Sequence, residues 1–316
     1  MTDDARKTFL SGLIDDAGLF PPESLSMENA VSAHRASRKG HNGWIMSRFI
    51  CPASRLTELA RLVVHEEEMP WRVSVIVDGA IGEQWLEGAV SDLSAAREFT
   101  SELPGKATVE LLEGLVPPAA DIASVRKLTD AVESAELPDP VIPFLEVPRH
   151  APPPETLDVI AQIRAEIRDG SLCRPPGAKL RCGGASADLF PTPARVASFV
   201  HECNRLSIPF KATAGLHHPF RHVDPATGFT RHGFVNLVGA AILASVHGLD
   251  ERELEEVVAD ENPASFSLTT DQFAWRGYNA SASQIADARA NLFISYGSCS
   301  FAEPVEDLTA LAILPI

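Results

Sequence analysis

The chain has 316 residues, 45 % hydrophobic and 22 % charged, enough to bury a sizeable core; its formal net charge of −16, from 27 Lys+Arg against 43 Asp+Glu, opposes binding to phosphate backbones or anionic lipid surfaces. No nucleic-acid or membrane partner is expected. A polar N-terminal stretch and the lack of an uncharged run of about 18 residues point to a soluble, cytoplasmic protein, and five scattered cysteines (Cys51, Cys173, Cys182, Cys203, Cys299), never spaced as CxxC, indicate neither a disulfide framework nor a structural zinc site.

Eight short apolar runs alternate with amphipathic segments, the signature of repeated βα units and a parallel sheet. In chain order the runs are 13–18, 44–50, 73–78, 107–113, 141–147, 178–184, 209–215 and 292–297. Helices are predicted over 27–39 behind Ser26, over 55–67, over 92–103 behind Ser91, and near 119–135, 154–168, 191–206 and 233–247. This count predicts a single-domain (β/α)8 TIM-like barrel over residues 1–316; a doubly wound open sheet shares the same local pattern. The connection between the seventh and eighth strands is unusually long. It holds a further helix over 250–260 and an excursion over 262–280, with Trp275 and Tyr278, whose length suits either a functional lid or a surface insertion.

Side chains alternate along a strand, so the residues between the outward apolar ones face the barrel centre. That parity places Lys179 and Arg181 inward on the sixth strand, Lys211 and Thr213 on the seventh, and Glu146 on the fifth. It also places Arg48 inward on the second strand, Glu110 on the fourth and one of Asp15 and Asp16 on the first. Charges this dense are costly to bury unless paired, and perturbed groups in a cleft often mark function. A lysine short of water and close to a second cation loses preference for its charged form and gains nucleophilicity.

Lys179 with Arg181-Cys182-Gly183-Gly184, and Lys211 with Ala212-Thr213-Ala214-Gly215-Leu216, resemble the sixth and seventh strands of class I aldolase barrels, the deoxyribose-phosphate aldolase group in particular. The resemblance covers about a dozen residues. It implies that Lys179 forms a Schiff base, that Lys211 lowers its pKa, and that Glu146, Glu110 or Asp16 shuttles protons. The residues alone leave another arrangement open: Arg48, Arg181 and Lys211 grip a substrate carboxylate or phosphate, and the carboxylates carry the catalysis.

Two further constellations follow strand ends. His217, His218, His222 and His232 cluster after the seventh strand, where His217 or His218 could bind substrate or move a proton and the group could ligate a metal, although no HxH or HExxH spacing is present. Gly297 and Ser298, between the eighth strand and a helix, could offer backbone N–H groups to a phosphate. Cys299 has no histidine tied to it by spacing. No dinucleotide fingerprint or GxxxxGK motif occurs, so no cofactor is expected.

The resulting expectation is a lyase, aldolase-like, acting on a small anionic carbonyl substrate. A metal-dependent hydrolase or isomerase using His, Asp and Glu at the barrel mouth is one alternative. A noncatalytic small-molecule-binding barrel is another. Association into a homo-oligomer is left open.

Overall fold

A computed structural model describes residues 4–65, 69–80, 82–115, 121–137, 141–168 and 174–314. Cys173 and parts of the helices predicted over 55–67 and 119–135 lie outside them. Eight strands close into an all-parallel barrel: β1 (Ile14–Asp16), β2 (Met46–Pro52), β3 (Trp71–Ile76), β4 (Ala107–Leu115), β5 (Ile142–Glu146), β6 (Gly177–Arg181), β7 (Phe210–Thr213) and β8 (Phe293–Ser298). Each strand pairs with its neighbours in sequence, and β8 closes on β1 through Ile14 opposite Tyr296. All eight predicted runs are strands.

The helices form the outer layer: α1 (Ala5–Leu10) before the barrel, then α2 (Met27–Lys39), α3 (Leu56–Val63), α4 (Trp85–Glu102), α5 (Ile122–Ser134), α6 (Pro153–Arg168) and α7 (Pro193–Leu206). α8 (Phe234–His247), α9 (Glu251–Ala259), α10 (Ala282–Asn291) and α11 (Ala302–Ala310) complete it. Ser26 caps α2 by accepting the Asn29 N–H, as the sequence predicts. Helix α4 instead starts at Trp85, before the predicted Ser91 cap. Within α4 the Asp92 carboxylate accepts the Gly79 N–H at 2.6 Å, fixing the β3–α4 loop.

Outward strand residues such as Phe49, Val73, Val75, Leu145, Leu180, Phe210 and Phe293 form one continuous core with the helices. Burial of this apolar layer is the main favourable term holding the barrel shut. Arg289 ties the base of the β8–β1 seam, donating to the carbonyls of Phe9, Ser11, Phe293 and Ile294.

The 262–280 excursion does not form a lid. It holds an antiparallel three-stranded sheet (Phe266–Leu268, Gln272–Trp275, Tyr278–Ser281) laid on the barrel's flank. Phe273 is fully buried, 5.2 Å from the Phe9 ring between centroids and pressed on Gly239 of α8, while Ala5 N–H donates to the Thr270 carbonyl. The sheet thus covers α8, whose residues Phe234 to Ala244 are all buried. Among the described residues, no helix is long and apolar enough to cross a membrane.

Candidate active site

Nine charged side chains run through the barrel as one alternating chain, from floor to mouth. On the floor, Arg72 donates to Glu110 at 2.6 and 2.9 Å, and Arg48 donates to Glu110 at 2.8 Å. Arg48 also reaches Asp15 at 3.4 Å. Asp15, fully buried, accepts from Lys211 Nζ at 2.8 Å and from Ser295 Oγ at 2.6 Å. Lys211 then contacts Glu113, whose second oxygen lies 2.9 Å from Lys179 Nζ. Lys179 lies 3.2 Å from Glu146 Oε2, and Arg181 closes the chain on Glu146 at 2.7 and 3.4 Å.

Each inward pair follows from strand alternation and register. Lys179 and Lys211 stand directly opposite one another across β6 and β7, and Glu146 stands opposite Lys179 across β5 and β6. Side by side, the two ammonium groups would repel, and Glu113 relieves this by reaching between them, one oxygen to each. Ser74 donates to the same carboxylate at 2.6 Å.

Glu113 is the hub that strict alternation conceals. Glu110 and Glu113 are three apart and cannot both face inward on a regular strand. A register shift lets them: Val73 pairs with Val109, but Ser74 pairs with Leu111, which leaves Glu110 as the extra residue of a bulge. Two acids in one apolar run, followed by Gly114, are the sequence signal for it.

The predicted acids divide. Glu146 stands at the lysines, whereas Glu110 is held on the floor by two arginines. Asp16 faces outward, its carboxylate 2.9 Å from His34 Nδ1 on α2 and accepting the Gly18 N–H, so a proton-shuttling role for Asp16 is corrected: the inward acid of the pair is Asp15. Arg48 is likewise on the floor and belongs to the ion network.

The same geometry overturns the expected depressed amine. Burial pulls the Lys179 pKa down, but the facing charges of Glu113 and Glu146 outweigh it and leave it above the ordinary lysine value. Burial alone raises the carboxyl groups; Lys179 and Lys211 prevail at Glu113, Lys179 and Arg181 at Glu146, and Lys211 and Arg48 at Asp15, so all three lie below the usual carboxylate range. Because those folded-state values are depressed, their stabilisation is complete above pH 4.5 and is lost as pH falls; that of Lys179, raised, is lost only as pH climbs past 10.5. Urea midpoints against pH should therefore be highest through neutral pH and fall toward both limits, with a shallower acid limb in Glu113→Gln.

Above the network opens a cavity of about 700 Å³ at the carboxyl ends of the strands. Lys179, Glu146, Arg181 and Glu113 form its charged floor; Lys211, fully buried, does not line it. Its walls are mainly apolar, with Phe20, Ile50, Ile76, Leu189, Phe190 and Phe229, and Asp78, Thr213 and His217 also reach it. The glycines after the lysine strands serve this wall. A Cβ on Gly183 would lie 2.8 Å from the Phe190 ring and 2.9 Å from Gly215 Cα, and Gly215 itself has φ +72°. Gly183→Ala should displace Phe190 and lower thermal stability by about 1–3 kcal/mol, the cost of forced overpacking, read by calorimetry.

A hairpin (His222–Val223 with Thr230–Arg231) carries Thr227, Phe229 and Arg231 to the cavity. His232 anchors its base. The ring donates from Nε2 to the Pro191 carbonyl at 2.7 Å and accepts from Arg221 at 3.2 Å on Nδ1, and burial pushes its pKa down from 6.5 to about 4. The folded value is depressed, so this stabilisation is full above pH 6.5 and is lost as pH falls toward 4. Protection factors of the 222–231 amides, corrected for intrinsic exchange, should fall as pH drops through that window, and His232→Gln should remove this fall.

Among the described residues, His217, His218, His222 and His232 do not bring their ring nitrogens to one point. His217 and His218 pair with Glu303 and Asp307 of α11, at 2.8 and 2.6 Å, and His222 holds the Phe220 carbonyl. Of the two adjacent histidines, His217 lines the cavity and His218 does not. Among the described residues, the group whose ligand atoms lie together is His201, Glu202 and Glu251, on helices outside the barrel. Cys299, which also lines the cavity, lies 3.5 Å from His217 Nε2, a proximity made by the β8–α11 connection and invisible in sequence spacing; burial raises its thiol to about 11. Gly297 lines the cavity, but the Ser298 hydroxyl does not: it donates to the Ser300 carbonyl at 2.7 Å.

Fold and site together define a (β/α)8 barrel with a charged floor beneath an apolar cleft at the strands' carboxyl ends, where barrels of this kind commonly carry enzymatic sites. No known protein family matches the sequence, and no curated protein matches it. Among solved structures, one described as "The crystal structure of AsfvAP:AG" is similar over 95 % of this chain and 96 % of that chain, with 11 % identity and a TM-score of 0.43, too distant to bear on function.

Proposed function

We propose that the protein is an aldolase-like lyase that binds a carbonyl substrate through an imine on Lys179. The observation carrying this reading is that Lys179, unlike the sealed Lys211, lines the cavity, with Glu146 3.2 Å from its nitrogen. In this reading Glu146 takes a proton from the ammonium, Nζ attacks the carbonyl carbon, and Glu146 returns the proton as the carbinolamine loses water. Glu113, Lys211 and Asp15 hold the amine in place and balance its charge. Exclusion of water by Phe190 and Phe229 protects the imine from hydrolysis.

Borohydride added to protein with small aldehydes and ketones tests this. A stable mass increment is expected with native protein and none with Lys179→Met.

One observation favours a second reading. Lys179 stands between Glu113 at 2.9 Å and Glu146 at 3.2 Å, contacts that hold it as an ammonium, which suits stabilisation of an enolate without covalent attack and leaves Glu146 as the base of a proton-transfer enzyme. Deuterium uptake beside the substrate carbonyl, with no borohydride adduct, would select it.

A further inference from the structure

We infer that the carbonyl substrate is a 2-oxo acid carrying a large apolar, preferably aromatic, group; this rests on the imine reading. The argument begins with Arg181. It lies two residues beyond Lys179 on the same face of β6, its side chain is 38 % exposed, and it lines the cavity. Lys179 Nζ and Arg181 Nη2 contact the same oxygen, Glu146 Oε2, at 3.2 and 3.4 Å. Amine and guanidinium are therefore one carboxylate oxygen apart.

A substrate held by both must carry its anion directly beside its carbonyl, and a carboxylate on the carbonyl carbon is the shortest such link. An anion several bonds away would have to be met elsewhere; the other arginine lining the cavity, Arg231, stands on the Thr230–Arg231 strand of the hairpin and not beside Lys179 on β6. Charge points the same way. With every member ionised, the network holds five cations (Arg72, Arg48, Lys211, Lys179, Arg181) against four carboxylates, so one monoanion balances it.

The substrate carboxylate also prepares the amine. By taking the bidentate bonds of Arg181, it removes from Glu146 two hydrogen bonds and a neighbouring charge that hold its pKa down. Glu146 thereby becomes more basic and stands as the acceptor of the Lys179 proton. Nζ bonds to C2, the carbonyl oxygen leaves as water with protons from the former ammonium, and a protonated imine remains; no other reactant is consumed. Arg181 is thus a substrate-binding residue that couples acid recognition to activation of the amine.

The remaining volume names the other end. About 700 Å³ far exceeds a three-carbon acid, and although Asp78, Thr213, Thr227 and His217 also reach the cavity, the continuous walls of Phe20, Ile50, Ile76, Phe190 and Phe229 favour a large apolar group over a polyhydroxylated chain.

The test compares borohydride trapping of phenylpyruvate, phenylacetaldehyde and pyruvate, reading the concentration that half-saturates the adduct at Lys179. Native protein should saturate with phenylpyruvate at concentrations at least about tenfold lower than with either of the others, and Arg181→Gln should erase the preference over phenylacetaldehyde. If phenylacetaldehyde saturates Lys179 as readily as the acid in native protein, recognition of a 2-oxo acid is overturned while the imine chemistry stands. If pyruvate matches phenylpyruvate, the apolar requirement is overturned. No adduct with any of the three removes both readings.

Discussion

Lys179→Met should abolish turnover, by at least about 10⁴-fold, on the scale seen when a nucleophile is removed from an enzyme. The expectation follows from access. Lys179 is the lysine of the ion network that lines the cavity, and Lys211 has no exposed surface from which to substitute for it. Stability should fall much less than activity. With Lys179 gone, Glu146 keeps Arg181 and Glu113 keeps Lys211 and Ser74, so no buried charge is left alone. Turnover of a substrate identified by trapping, measured beside a urea melt, checks both halves. A network that is purely structural predicts the reverse pattern, with a stability change and no activity to lose.

Glu113→Leu is expected to cost about 3–5 kcal/mol, the range for removing one partner of a buried ionic cluster. Among the described residues, Glu113 is the one carboxylate contacting both lysines, and its side chain is buried. Its loss leaves Lys179 and Lys211 opposite each other across adjacent strands with nothing between them. A drop in melting temperature of roughly 10 °C should be measurable by calorimetry. Adding Lys211→Met should recover part of it, since Asp15 retains Ser295 and Arg48 and the surviving lysine retains Glu146. A double variant as unstable as the single one would mean that packing, not charge, explains the loss.

Much of the barrel is legible in the sequence because its physics is local. Each strand is a short apolar run and most of the helices between them are amphipathic, so all eight strands and their order can be read directly. Alternation also orients Lys179, Arg181, Lys211, Glu146 and Arg48 correctly. It fails where the strands are irregular or too short. The bulge at Glu110 turns Glu113 inward, and β1 has three residues, all buried, so no polar face separates Asp15 from Asp16. The sign of the Lys179 shift is set by which carboxylates stand beside it, and that depends on register between strands far apart in the chain. The His217 and Cys299 contact and the flank position of the 262–280 sheet are likewise products of long-range packing.

The most direct measurement is the peptide-resolved position of a borohydride-reduced carbonyl adduct. Modification confined to Lys179, abolished by Lys179→Met and retained at the same residue in protein carrying Cys299→Ala, is the predicted result. An adduct on Lys211 or on surface lysines alone, or unmodified Lys179 under conditions that exchange the substrate's α-proton, would contradict an imine-forming active site.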